Sequence, residues 1–262
     1  MDGGQGLFGV AAQHARLWRR AVWWGLALAI SLATGLYLYD ANVPIGRTFK
    51  IGFHNLPPYQ FPDAHGNPTG PVVDLIKAAA ERSHIQLEWV WAPVGPEEVL
   101  KSGTTDLWPV LVDLPERRSD FYVTSPWAKL SYSILAPKSS LIMRPADVSG
   151  RKLAVTPGVS TDARMARKYF PTAVALSRFN ALDVLAAVCT QQADAGLIRS
   201  SAFNNLKEAD CPDRPLALVP IQGATYWWGV AATLKKRDAR RAADRLLAAI
   251  GGDGRRWVSG RH

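Results

Sequence analysis

Between Phe49 and Val112, short apolar runs of strand type alternate with stripes of helical period, and this alternation constrains the fold more than any other feature of the chain. Phe49–Phe53 (FKIGF) reads as a strand that runs into a rigid extended loop, His54-Asn55-Leu56-Pro57-Pro58-Tyr59, where two prolines fix the backbone. After a turn-forming cluster at residues 63–70, apolar residues at 72, 73, 75, 76, 79 and 80 mark one face of a helix. Gln86–Ala92 alternates as a strand, Pro96–Lys101 reads as a short helix closed by Gly103, and the apolar run after Asp106 is a third strand. Strand, helix, strand, helix, strand in that order predicts an α/β fold with a largely parallel sheet.

The second half continues in kind. Strands are expected at Tyr132–Pro137, Leu153–Thr156, Ala193–Ile198 and Tyr226–Thr233. Helices are expected from Ser160 or Thr161 to Tyr169, over Asn180–Thr190, and over Arg237–Ile250, whose apolar positions are 239, 242, 243, 246, 247 and 250. Ser160 or Thr161 would cap its helix, and a helix start with free N–H groups favours an anion. The plainer reading is a capped helix and nothing more.

The formal charge of +9 would suit a nucleic-acid partner, but its distribution argues against one. Residues 1–20 and 235–262 carry +2 and +6 of it, so the large middle region is close to neutral. A nucleic-acid-binding body concentrates its basic residues on the folded surface.

Arg16, Arg19 and Arg20 precede a charge-free apolar run, residues 21–39. A helix of that length spans about 28 Å, close to the hydrocarbon core of roughly 30 Å. Trp23, Trp24, Tyr37 and Tyr39 fall where interfacial aromatics belong, and the arginines hold residues 1–20 on the cytoplasmic side. The run is expected to be a transmembrane signal-anchor in the cytoplasmic membrane, with everything after Asp40 exported. Cleavage after Ala33-Thr34-Gly35 and a buried core helix are the rival readings; a lipoprotein anchor lacks its cysteine. The exported region holds two cysteines, Cys189 and Cys211. In an oxidising compartment they are expected to pair, worth about 3 kcal/mol in the chain-entropy account, the alternative being two separate thiols. Two cysteines and five scattered histidines do not make a metal site, and no cofactor motif is present.

The stretch with chemical content is Asp106–Trp127, DLWPVLVDLPERRSDFYVTSPW. An apolar strand breaks at Asp113–Pro115 and delivers Glu116, Arg117 and Arg118 just beyond its end, at the sheet rim where ligand clefts lie. The plain alternative is a pair of solvated loop arginines. This segment resembles the "T-x-x-x-x-R, then D-F-S-x-P-Y" pattern of the family 3 periplasmic solute-binding proteins of amino-acid-binding type. Gly52 to Phe61 matches that family's "G-x-x-x-x-P-P-Y-x-F". Gly70 with Asp74-Leu75, Ser102-Gly103 with Asp106-Leu107, and Asp147 to Lys152 fall in the family's order.

The resemblance, over residues 48–250, implies a two-lobed periplasmic-binding-protein-like fold of type II. Two hinge strands, near 131–137 and 227–233, would join lobe 1 (48–133 and 229–250) to lobe 2 (138–226), leaving 251–262 as a basic tail. It also implies a ligand carboxylate on Arg117, an anion-facing turn at Ser160 and Thr161, and cleft contacts from His54, Asn55, Tyr59 and Trp108. Three departures bear on the ligand. Trp108-Pro109-Val110 stands where the family has small Ser/Gly-type residues. Val112 stands where the family has a Thr, and Arg199 stands where the family's Asp pairs with an α-ammonium. An amine beside a guanidinium in a low-dielectric cleft is repelled. The expected ligand is therefore a small anionic or carboxylate solute other than an ordinary α-amino acid, with Arg199 as a second cation or else solvated.

Three functions compete on these grounds. The first is a membrane-anchored extracytoplasmic sensing protein with a signalling partner. The second is a transport-system binding protein delivering to a permease. The third is an enzyme of the same fold, dehydratase-like, for which only Glu116 and His54 offer an acid or base.

Overall fold

The computed structural model describes residues 22–32, 34, 47–156, 160–205, 211 and 214–258. The chain divides into two compact units, Met1–Pro44 and Ile45–His262. In the first, residues 22–32 form a helix, α1. Apart from Thr34, the rest of the run expected to span a membrane, like residues 1–20, lies outside the described residues. No helix among the described residues is long and apolar enough to cross a membrane.

The second unit is built on one continuous sheet. Its order is β4 (Gln86–Trp91), β1 (Thr48–Phe53), β5 (Leu107–Val112), β11 (Leu216–Thr233), β7 (Ala128–Pro137), β10 (Ala195–Arg199), β8 (Lys152–Val155), β9 (Val174–Ser177). A short strand, β6 (Phe121–Val123), also pairs with β11, and a two-stranded ribbon, β2 (Phe61–Pro62) and β3 (Pro68–Thr69), stands apart. Parallel pairing holds within the triplets β4–β1–β5 and β10–β8–β9; every pair involving β7 or β11 is antiparallel. Each triplet centres one lobe, and the two antiparallel strands carry the chain between them. They pair from Trp228 opposite Ala128 to Leu216 opposite Pro137, with a shift of register between Pro220 and Thr225. The second hinge strand is thus far longer than the sequence predicts. Pro220, exposed at that shift, and Gly223, at φ 72°, punctuate it without ending it.

Helices cover the sheet: α2 (Pro71–Ser83), α3 (Pro96–Ser102), α4 (Ser160–Tyr169), α5 (Ala181–Cys189), α6 (Ser200–Asn205) and α7 (Arg237–Val258), with a break at Gly251. The apolar stripe of α2 buries Val72, Val73, Ile76, Ala79 and Ala80, and α7 buries Ala239, Ala242, Ala243, Leu246 and Ile250. These two helices pack on each other and on lobe 1, and Arg82 of α2 donates twice to the Ala249 carbonyl. Lobe 2 has its own core, with Ile134, Val148, Leu153, Met165, Phe170 and Leu197 among its members. Cys189 and Cys211 form a disulfide with Cα atoms 5.5 Å apart.

The lobes repeat one local device. Asp106, ahead of β5, accepts from the Lys50 backbone N–H of β1 at 2.9 Å; Asp194, ahead of β10, accepts from the Lys152 N–H of β8 at 2.8 Å. In both, a carboxylate satisfies a donor at the sheet's end and fixes the crossover strand beside its neighbour. Asp106 also binds Arg47 and Lys236, which ties the start of α7 to the same point.

Trp108, fully buried in β5, needs Gly52 opposite it: a Cβ there would lie 2.5 Å from Trp108 Cζ3. Gly52→Ala is expected to displace the indole and to lower stability by about 1–3 kcal/mol, the usual cost of overpacking. Chemical denaturation of the two forms measures it; unchanged stability would show that Trp108 is free to move.

Candidate functional site

Between the lobes lies a cavity of ≈ 200 Å³, lined from lobe 1 by residues that include His54, Glu97, Trp108 and Arg117, from lobe 2 by Thr161 and Arg199, and from the hinge by Trp228. The break after β5 positions Arg117. Pro115–Arg117 forms a single 3-10 turn that sends consecutive arginines in opposite directions. Arg118 makes a two-pronged contact with Asp113 at 3.0 and 2.6 Å on the solvent side. The Arg117 side chain is 12% exposed, donates to the Val112 carbonyl at 3.1 Å, and meets Glu97 Oε1 at 2.5 Å. A ligand carboxylate at Arg117 would therefore compete with Glu97, which the first turn of α3 supplies.

Arg199 is neither solvated nor a bare second cation. It ends β10, is 6% exposed, and donates from Nη2 to Asp162 Oδ1 at 2.6 Å; the Tyr132 hydroxyl donates to the same oxygen at 2.6 Å. Burial lifts the Asp162 carboxyl above its ordinary value, against the pull of Arg199 and Tyr132. Burial also works against the charge on Arg199, but Asp162 and the two phenol oxygens hold its proton more firmly than usual. We read the pair as charged, since two short donor contacts converge on one carboxylate oxygen. Arg199 Nε is buried and meets no acceptor among the described residues.

The remaining expected residues distribute as follows. His54 meets the Trp108 ring edge-on at 5.2 Å. Burial, then the charge of Arg199, lowers its pKa to about 4 against an opposing pull from Glu97, so the imidazole is neutral at pH 7. Thr161 is buried, and its hydroxyl lies 3.5 Å from that of Tyr132. Ser160 opens α4, but its side chain is not among the described ones. Asn55 lines a smaller adjoining cavity with Asp162 and Arg199 rather than the main one. Tyr59 is fully buried and lies outside the main cavity's lining. Its ring stands edge-on to Trp228 at 4.9 Å, and burial raises its phenol pKa to about 12. Glu97, Asp162, Tyr132 and Trp228 were not anticipated from sequence. An arginine closing an otherwise apolar strand, AGLIR, was the signal that a buried acid had to exist; nothing local pointed to which one.

Two contacts close the cleft. The Tyr59 hydroxyl of lobe 1 lies 2.8 Å from Ser201 Oγ of α6, and Glu116 Oε1 lies 2.6 Å from Arg164 Nη2 of α4. The second pair is about half exposed, where ion pairs are worth about 0–1 kcal/mol. A latch that weak suits reversible closure.

A sheet shared by two lobes, a paired hinge and an arginine-lined cavity between them together define a small-solute-binding domain. The sequence profile of the bacterial extracellular solute-binding proteins, family 3, matches residues 49–256, and the chain belongs to that family. No curated protein matches. Among solved structures, the BvgS periplasmic VFT2 domain of Bordetella pertussis is 16% identical with a TM-score of 0.67, covering 82% of this chain and 93% of that one. The ancestral amino acid-binding protein AncCDT-1, described as a precursor of cyclohexadienyl dehydratase, is 21% identical with a TM-score of 0.66, covering 81% and 94%. The amino acid ABC transporter substrate-binding protein AbpA of Streptococcus pneumoniae, bound to L-arginine, is 17% identical with a TM-score of 0.66, covering 81% and 93%.

His54 makes stability depend on pH with a definite sign. Below the unfolded value of 6.5 the unfolded chain takes up a proton that the folded imidazole refuses until about pH 4. Stability is therefore expected to fall between those limits, by roughly 3 kcal/mol in all. Denaturation midpoints at pH 7 and pH 4.5 measure the loss, and His54→Gln should flatten that part of the profile.

Proposed function

We propose that this protein is a membrane-anchored extracytoplasmic receptor whose two lobes close on a small carboxylate-bearing solute and report its presence to a signalling partner. The cavity carries the reading: Arg117 from one lobe and Arg199 from the other line a single cleft of ≈ 200 Å³. An acid held from both sides makes closure depend on the solute. Its carboxylate would displace Glu97 from Arg117 and reach the unsatisfied Nε of Arg199. The anchor rests on the sequence alone: three arginines followed by an uncharged apolar run, residues 21–39. Tethering favours sensing, because a domain fixed at the membrane is poorly suited to shuttling solute.

Delivery to a permease is the second reading, favoured by the likeness to the transporter protein AbpA. A dehydratase-like activity finds less support. Glu116 is engaged by Arg164, and its own backbone hydrogen bond and that ion pair hold its carboxyl below the usual range, the wrong direction for a proton donor.

Arg117→Ala is expected to weaken carboxylate binding by about 2–5 kcal/mol, since it removes one partner of a desolvated charge pair. Calorimetric titration of wild type and variant measures this; equal affinities would remove Arg117 from the site.

A further inference from the structure

Arg199 sits in surroundings built for an organic cation. Its guanidinium carbon lies 6.0 Å from the Tyr59 ring centroid, 5.7 Å from that of Tyr132 and 6.0 Å from that of Trp228. The rings come from three separate segments: the loop after β1, the hinge strand β7 and the hinge strand β11. A fourth, α4, contributes the Asp162 carboxylate at 2.6 Å. Three aromatic rings around one buried carboxylate attract an ammonium or guanidinium group through ring quadrupoles and a full countercharge. Here the chain fills the space with a side chain of its own.

We propose that Arg199 is the permanent internal occupant of a cation cage, and that by occupying it Arg199 restricts the cleft to apolar carboxylates that carry no ammonium or guanidinium group. The restriction to this ligand class rests on the solute-binding reading above; the cage does not.

Two further observations point the same way. A cationic ligand would have to settle beside a buried guanidinium or evict it, and eviction would leave Asp162 a buried charge without its countercharge. The Nε donor of Arg199 is buried with no acceptor among the described residues, and the residue lines the cavity. An anion's oxygen would satisfy it; an ammonium, which has no lone pair to accept with, could not. The apolar part of the cavity lining includes Leu56, Val94, Pro96, Val110 and Trp228, beside a neutral His54. Asp162, the acid beside Arg199, is already engaged by Arg199 and Tyr132. Glu97, the acid of the cavity lining, lies on the lobe 1 side and is half exposed, so a ligand beside Arg199 meets hydrogen-bond donors and apolar surface but no unengaged acid among the described residues.

The test uses the full chain in detergent and has two arms. In the first, wild type is titrated calorimetrically with phenylacetate, L-phenylalanine and L-arginine. Phenylacetate is expected to bind at least tenfold more tightly than either amino acid. In the second, Arg199→Ala empties the cage, and methylguanidinium at millimolar concentration is expected to raise the melting temperature of this variant. It should leave wild type and the double variant Arg199→Ala/Asp162→Asn unchanged. Binding of either amino acid as tight as that of phenylacetate would overturn the inference and leave the solute-binding reading standing. Methylguanidinium that fails to stabilise Arg199→Ala, or stabilises wild type equally, would also overturn it. Rescue of Arg199→Ala with no binding of any of the three titrants would support the cage and remove the solute-binding reading. Should Arg199→Ala fail to fold, the wild-type titrations decide the ligand class alone.

Discussion

A guanidinium buried against one carboxylate sets the architecture of the cleft. Taking an arginine and an aspartate out of water costs several kcal/mol for each ion, recovered only with close geometry and further hydrogen bonds. Those conditions recruit pieces from across the molecule: Arg199 from the end of β10, Asp162 from the first turn of α4, Tyr132 and Trp228 from the two hinge strands, and Tyr59 from the opposite lobe. The pair therefore lies where the lobes meet, and moving one lobe away would open it on the Tyr59 side. Stability and closure share one set of contacts.

Around that pair the molecule is nearly two copies of one plan. Each lobe has a parallel triplet of strands with a carboxylate pinning the crossover, Asp106 in one and Asp194 in the other. Each triplet is extended by antiparallel strands that belong to both lobes. The parallel strands are covered by helices and tightly packed, to the point that Gly52 has no room for a methyl group over Trp108, nor Gly196 for one beside Val184. The bridging strands, by contrast, shift register between Pro220 and Thr225, so their ladder is interrupted where those of the parallel triplets are not. Rigid lobes on a deformable bridge localise any bending in the bridge.

Much of the fold was legible because local signals and tertiary packing agree. The period of α2, the glycine after α3 and the alternation of β4 needed no distant partner to be read. Strand β11 was half missed because a proline and a glycine punctuate it, and their meaning changes when a neighbouring strand continues the pairing across them. Strand β9 was missed because three of its four residues are exposed, so it carries no apolar period. At the site, sequence placed Arg117, His54, Trp108 and Thr161 on the cavity wall but could not supply their partners. Glu97 and Asp162 lie 20 and 37 residues from the arginines they bind, and hydropathy does not encode such pairings. Tyr59, expected as a wall for ligand, is instead a wall for Arg199.

Closure of the lobes on a carboxylate is the central claim, and a distance measured between lobes tests it directly. Both native cysteines are engaged in the disulfide, so spin labels at Glu98→Cys and Arg167→Cys, on exposed positions of α3 and α4, report one distance without interference. Pulsed electron paramagnetic resonance on the full chain should give a broad distribution without phenylacetate, and with it a single narrow distance matching this closed arrangement. Distributions identical in the presence and absence of phenylacetate, D-malate and succinate alike would contradict the account.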